Sequence, residues 1–313
     1  MAEDHRTTTQ SGRRADLDVT AIDSTFRTFE ANLRMSPQTI ATVRYRYHSI
    51  TKRINEDFWR ESSENEHSLY AGSYGRGTST STSDIDILVQ LPDDMYTNYW
   101  FRNALHRNGS SELLQSVKRS LQKTYATSYL SGDGQVVVVD FSDGIRFEVV
   151  PVFKYGEQLF FPDTHNGGSF VKMNPIREMD AFDEMNRVHP GGMKKLCRMM
   201  RAMRANFKLD LLGETIDSMV YEYWNQGDFT NIPAFRMFDY HTKGFFDYWK
   251  HEYRLKQGAS VPGTKRHLEI PRTEFLSKLF SHFSEVAGNA SESEIEKYTN
   301  KYWRMIYGDR FPA

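Results

Sequence analysis

The sequence predicts an α+β fold, a mixed sheet with a long N-terminal helix in front of it and a C-terminal helical lobe behind it. Three observations lead there. Apolar residues recur at helical spacing from Ile40 to Ile54, the period shortens to that of strands between Leu69 and Phe153, and helical spacing returns beyond Pro175. On this pattern residues 1–16 form a flexible arm, being rich in Thr, Arg, Gln and Ser without periodicity. Residues 17–170 form the sheet-bearing core with its helix, and residues 171–313 form the helical lobe.

Each element has its own signal. Ser36-Pro37 supplies an N-cap and a proline at the first helical position, and Ile40, Val43, Tyr47, Ile50 and Ile54 then share one stripe. A long amphipathic helix is therefore expected from Pro37 to about Arg60. Leu69-Tyr70-Ala71 leads into a glycine-rich turn, and Ile85-Asp86-Ile87-Leu88-Val89 reads as a strand that Pro92 stops. After a helical stretch from Ser111 to Tyr125, the runs Val136 to Phe141 and Ile145 to Phe153 are joined by Ser142-Asp143-Gly144, the chemistry of a β-hairpin turn. Leu196, Met199, Met200, Met203 and Phe207 form a helical stripe, followed by helical segments from Glu214 to Trp224 and from about Ser291 to Tyr307. Phe229 to Gly263 is aromatic-rich and aperiodic and receives no assignment.

Composition narrows the class. The 313 residues are 39% hydrophobic and 14% aromatic, enough for a sizeable core. With 40 Lys+Arg against 41 Asp+Glu the net charge is -1, so no overall basic field suits wrapping of duplex nucleic acid. Cys197 is the single cysteine and can form neither an internal disulfide nor a cysteine-rich zinc site, and the ten histidines show no ligand spacing. There is no apolar signal region, and the longest aliphatic run, Val136 to Val139, is far too short to span a bilayer. A soluble protein of the cytoplasm, with no membrane association, is expected.

The chemistry is concentrated in Gly72-Ser73-Tyr74-Gly75-Arg76-Gly77-Thr78 and the following Ser83-Asp84-Ile85-Asp86-Ile87-Leu88. Side chains alternate along a strand, so Asp84 and Asp86 share a face and can hold a divalent metal together. The glycines allow the backbone to approach a triphosphate, whose oxygens the hydroxyl and amide of Ser73 can bind. An Asp-x-Asp alone is more often a solvated strand edge, and a Gly-Ser alone is a turn. Their combination, with Asp84 eleven positions after Ser73 and an aliphatic strand directly behind, is specific. Two-metal phosphoryl transfer asks for a third acid. Glu148, within the apolar run Phe147 to Phe153, is the candidate, because burying an acid there is costly unless it is paired or metal-bound. Otherwise it faces solvent. Asp140 and Asp143 compete for the same role, although Asp143 before Gly144 is explained by turn geometry.

These residues resemble the nucleotidyltransferase core, of polymerase-β type, found in the bacterial cyclic-oligonucleotide synthases related to cGAS and to oligoadenylate synthetase. There a Gly-Ser turn leads into Asp-x-Asp, and a third acid precedes two hydrophobic residues and a proline. The matching positions are Gly72, Ser73, Asp84, Asp86 and Glu148, with glutamate where the family usually has aspartate. The similarity continues through Phe160-Phe161-Pro162-Asp163, Asn174-Pro175, Leu196 to Arg201 and Ser218 to Glu222, with less specific motifs. It implies Mg2+ (or Mn2+) in a two-metal site on Asp84, Asp86 and Glu148. It also implies nucleoside triphosphate substrates, a cyclic or oligomeric second messenger for antiviral defence, a regulatory protein partner, and an effector reached through the product.

Leu196 to Arg201 is similar to the family's helix bearing a basic residue aimed at the triphosphate, and on it Lys194, Arg198 and Arg201 occupy one face opposite the Leu196/Met200/Met203/Phe207 stripe and are candidates for the polyphosphate tail. An ordinary solvated helix face is the competing explanation. Arg76 and Lys172 are weaker phosphate candidates, the methionines from Met193 to Met203 are read as core, and Tyr70, Tyr74 and Tyr155 are candidates for base stacking that aromatic packing explains as readily. Two other functions share the core motif: transfer of one nucleotide to an RNA, protein or small-molecule acceptor, and a catalytically dead sensor, which retention of Asp84 and Asp86 opposes.

Overall fold

The computed structural model describes residues 22–188, 192–227, 229, 237–293 and 296–313. The arm expected over residues 1–16 lies outside them. Two compact units are present: Met35–Met179, and residues 22–34 together with Asp180–Ala313. The sequence-based boundary near residue 170 grouped 17–34 with the sheet. In the structure this segment, helix α1 (22–33), belongs with the C-terminal helices, because Phe26, Phe29 and Leu33 are buried in their core.

The sheet unit begins with α2 (Pro37–Ile54), capped as its sequence requires: Ser36 Oγ accepts the Thr39 amide at 3.0 Å and Pro37 opens the helix. Val43, Tyr47, Ile50 and Ile54 are buried, whereas Ile40, in the first turn, is 37% exposed. The helical path continues through a π turn at Asn55–Trp59 and ends at Arg60 in the left-handed conformation. Asn55 explains the widened turn in part, since its buried amide donates to the carbonyls of Ser63 and Glu66, both at 2.9 Å.

Strands β1 (Ser68–Tyr70), β2 (Ile85–Gln90), β3 (Tyr129–Asp133), β4 (Val136–Asp140), β5 (Arg146–Tyr155), β6 (Gln158–Asp163) and β7 (Ser169–Met173) form, among the described residues, one seven-stranded sheet in the order β1-β2-β5-β4-β3. The far end of β5 pairs with β6, which in turn pairs with β7. β2 and β5 are parallel and all other pairs are antiparallel. The single turn α3 (Gly72–Gly75) links β1 to β2, and α4 (Asp93–Ala104) and α5 (Gly109–Gln122) follow β2.

Alternation divides the sheet's residues between two faces. Ile85, Ile87, Val89, Val137, Val139, Phe147 and Val149 pack against α2 and α5, each fully buried aliphatic or aromatic side chain contributing about 1.5–3 kcal/mol. Leu88, Val150 and Val152 pack with Ala71, Leu159 and Phe161 on the opposite face. Helix α4 had no signal in the sequence because it buries no residue fully and carries no continuous apolar stripe.

The helical unit contains α6 (Pro175–Val188) from Asp180 onward, α7 (Gly192–Asn206), α8 (Gly213–Asn225), α9 (Met237–Leu255), α10 (Glu274–Glu292) and α11 (Glu296–Tyr307), with a small hairpin of β8 (Gly258–Ser260) and β9 (His267–Glu269). Met193, Met199, Met200 and Met203 of α7 are fully enclosed beside Trp224, Trp249 and Trp303, so the methionines are core. The expected terminal segment from Ser291 to Tyr307 is divided between two helices, because Ser293 is extended. The unassigned stretch after Phe229 contains α9, while residues 228 and 230–236 lie outside the described set.

Candidate active site

The acids gather on one face at one end of the sheet. In the parallel register Asp86 lies directly beside Glu148, and Asp84, one step before the last paired residue Ile85, points the same way as Asp86. Across the other edge of β5, Asp140 is the register partner of Arg146, which precedes Glu148 by two and so shares its face. The face is the one carrying Leu88, Val150 and Val152, not the one covered by α2 and α5.

The glycine turn is built against these acids. Gly72 has φ +55°, and a Cβ there would collide with the Asp86 carboxylate, so only glycine fits. The Ala71 amide donates to the Asp86 carbonyl at 2.8 Å, fixing the turn to β2. Ser73 is buried, and its carbonyl accepts the amides of Thr78 and Ser79 at 2.9 and 3.1 Å, which folds Gly72–Ser79 back on itself. Arg76, buried within this loop, faces Glu178 at 3.9 Å and its charge favours the ionised form of Asp86.

Crowding controls the electrostatics. Burial, then the adjacent charge of Glu148, push the Asp86 carboxyl up to about 7; Asp84 adds to this and Arg76 opposes it. Asp84 is also shifted upward, by loss of hydration and by Asp140, with Arg146 opposing. Its side chain remains 51% exposed, so water screens much of that effect.

The sequence did not single out Arg146. Its guanidinium lies 3.4 Å from Glu148, 3.6 Å from Asp140 and 3.9 Å from Asp84. The hairpin turn at Ser142-Asp143-Gly144 was the signal that could have found it, since that turn fixes Arg146 opposite Asp140.

The oxygen-only donor set of Asp84, Asp86 and Glu148 suits a hard divalent cation, and Asp86 and Glu148 press two carboxylates together in a way that a cation would relieve. As the side chains stand, however, no three acidic, histidine or cysteine residues among those described converge closely enough to hold a metal ion. Arg146 lies among Asp84, Asp140 and Glu148 instead.

The other candidates separate clearly. Asp143 is taken up by Arg46, with paired bonds of 2.9 and 2.8 Å that, with the turn amide of Ile145, hold its carboxyl below the usual range. Tyr70 stacks on Tyr47 with centroids 4.1 Å apart, and Tyr74 tilts against Tyr70 at 4.7 Å, forming an aromatic ladder between α2 and the turn. Tyr155 is highly exposed at the end of β5, and Lys172 is exposed on β7.

The α7 cations are not a solvated row, because each meets an acid of its own unit. Lys194 pairs with Asp183. Arg198 is buried and meets Glu30 of α1 at 2.6 Å, and Arg201 grips the fully buried Asp217 of α8 with two bonds of 2.7 Å. Their spacing was legible in the sequence, but these distant partners were not.

A glycine-serine turn packed on a strand whose acids face a third acid across a parallel pair is the arrangement that nucleotidyl transfer calls for. Residues 21–186 match the Second Messenger Oligonucleotide or Dinucleotide Synthetase (SMODS) domain, more than half of the chain, and the chain belongs to that family of nucleotidyltransferases. Comparison with curated proteins by sequence gives no significant match.

Solved structures show the same fold. The chain is similar to Vibrio cholerae DncV cyclic AMP-GMP synthase in complex with nonhydrolyzable GTP (TM-score 0.68, 12% identity, 90% of this chain and 93% of that one). It is also similar to Bradyrhizobium diazoefficiens CdnG in complex with GTP (TM-score 0.65, 12% identity, 92% and 95%). A third similarity is to E. coli MS115-1 CdnC in its complex with HORMA-deltaN (TM-score 0.64, 15% identity, 92% and 96%). Among the described residues no helix is long and apolar enough to cross a membrane.

Proposed function

We propose that this protein joins nucleoside triphosphates to one another, releasing pyrophosphate, until the product closes into a cyclic di- or oligonucleotide second messenger for anti-phage defence. The observation that carries this reading is the apposition of Asp86 and Glu148 across β2 and β5, with Gly72 packed on Asp86, in a chain of the SMODS family. In each step a ribose hydroxyl loses its proton to water as its oxygen bonds to the α-phosphorus of a triphosphate and the bond from that phosphorus to pyrophosphate breaks. Asp84, Asp86 and Glu148 are the residues that would hold Mg2+ or Mn2+, which when bound supplies positive charge for the attacking hydroxyl and the departing pyrophosphate.

The remaining work falls to the chain itself. Gly72 admits a polyphosphate close to the backbone, and the first-turn amides of α3 with the Ser73 hydroxyl orient its oxygens. Arg76 sustains the negative charge of Asp86 from within the core. On α7, Lys194 is the cation suited to phosphate, since its partner Asp183 is itself exposed and readily exchanged, whereas Arg198 and Arg201 are committed to buried acids. The GTP bound by CdnG and the nonhydrolyzable GTP bound by DncV support triphosphate substrates, and the HORMA complex of CdnC supports a regulatory protein partner; an effector would be reached through the product. Such chemistry belongs in the cytoplasm.

The test is incubation of the purified protein with all four labelled triphosphates and Mg2+ or Mn2+, without any acceptor, followed by mass spectrometry of the products. Pyrophosphate and a phosphatase-resistant oligonucleotide are expected. D84N/D86N should lose this activity by several orders of magnitude while remaining folded, because removing clustered like charge costs little stability. A product that forms only when RNA, protein or a small molecule is added would instead mean transfer of a single nucleotide. No pyrophosphate from any triphosphate would sink the enzyme reading.

A further inference from the structure

Arg146 is held quite differently from Arg46, the α2 arginine bound to the neighbouring hairpin turn. The arginine that grips Asp143, Arg46, does so through two short bonds, yet Arg146 spreads over three carboxylates at 3.4–3.9 Å and closes tightly on none. Its Nε is fully buried without a hydrogen-bond partner, while the side chain as a whole is 39% exposed. The site is determined by register. Asp140 and Glu148 flank Arg146 across β4 and along β5, and Asp84 approaches from the β2 side. A guanidinium so placed offsets the charge of the cluster through one long hydrogen bond, to Glu148, and leaves Nε unsatisfied, which suits a cation that is easily displaced.

Resting on the metal-site reading above, we propose that Arg146 is the resident counter-cation of the acidic cluster. It positions Asp84 and Glu148 in the metal-free protein and competes with the divalent cation for them, so that it sets the metal concentration at which the site loads. Loading moves the guanidinium off the carboxylates. Arg146 is thus a positioning residue, and its removal makes metal binding tighter while making the metal-free cluster less stable.

The experiment is a titration of the full-length protein with Mn2+ in the absence of nucleotide, followed by electron paramagnetic resonance, with melting temperatures measured alongside. Four proteins are compared: wild type, R146M, R146K and D84N/D86N. R146M is expected to bind Mn2+ roughly tenfold more tightly than wild type, a modest gain because water screens a half-exposed charge. It should also melt lower than wild type without metal and gain more on adding Mn2+. R146K keeps the charge and should stay close to wild type, while D84N/D86N should not bind.

Equal or weaker Mn2+ binding by R146M, with D84N/D86N still inactive in binding, overturns the role of Arg146 and leaves the metal site standing. Undiminished binding by D84N/D86N, or no binding by any of the proteins, overturns the metal site itself and the proposal with it. Should R146M fail to fold without metal, the same comparison is made with R146Q.

Discussion

The two candidates for the third acid, Glu148 and Asp140, differ in geometry at the level of single side chains. Glu148 faces Asp86 directly in the β2–β5 register, whereas Asp140 meets Arg146 and influences Asp84 only through charge. Glu148→Gln, which keeps size and removes charge, is therefore expected to lower nucleotide joining by several orders of magnitude, and Asp140→Asn to cost far less. Turnover at saturating Mg2+ and Mn2+ checks the ranking; the reverse order would transfer the third position to Asp140. Gly72, Ser73, Asp84 and Asp86 were legible in the sequence because their relation is local, a turn followed at fixed distance by alternation on a strand. Glu148 was legible from its hairpin and its apolar neighbours. Arg146 was not, because its meaning depends on three strands brought together by register.

Elements show a different limit of sequence reading. The α7 stripe was recognised, and its cations do lie at helical spacing, but a helix face is called solvated or paired only by what other helices bring to it. Asp217, from α8, is fully buried beneath Arg201. Arg201→Ala leaves that carboxylate without its cation, and unfolding in denaturant should show a loss of about 3–5 kcal/mol. Arg201→Met combined with Asp217→Leu should recover most of it, since replacing a buried pair by apolar groups is often neutral. Arg204→Ala, which removes a bond to the Leu211 carbonyl, should cost about 1–2 kcal/mol. Unchanged stability of Arg201→Ala together with weakened triphosphate use would return Arg201 to the phosphate-binding role its spacing suggested. Helix α4 was missed for the complementary reason, that an element without a buried stripe leaves no periodic trace.

On the scale of the whole chain, the compact units are not a linear division at residue 170: residues 171–179 group with the sheet, and α1, first among the described elements, sits in the core of the last helices. Its anchoring is polar as well as apolar. Glu30 is buried and receives both Arg34 and Arg198. Burial alone would raise its pKa, but the hydrogen bonds and charges of the two arginines outweigh this and hold it below the usual 4.5. A carboxyl depressed in the folded state binds fewer protons there than in the unfolded chain between the two values. Stability from this pair is therefore fully present above about pH 4.5 and disappears as the pH falls through the lower, folded value. Glu30→Gln should melt lower than wild type at neutral pH, because Arg198 loses its buried partner, and should lose less on acidification below pH 4.5. Melting temperatures of the two proteins across that range would converge if Glu30 ties α1 to the helical core through charge. Parallel curves would show that Phe26, Phe29 and Leu33 hold α1 in place by apolar packing alone.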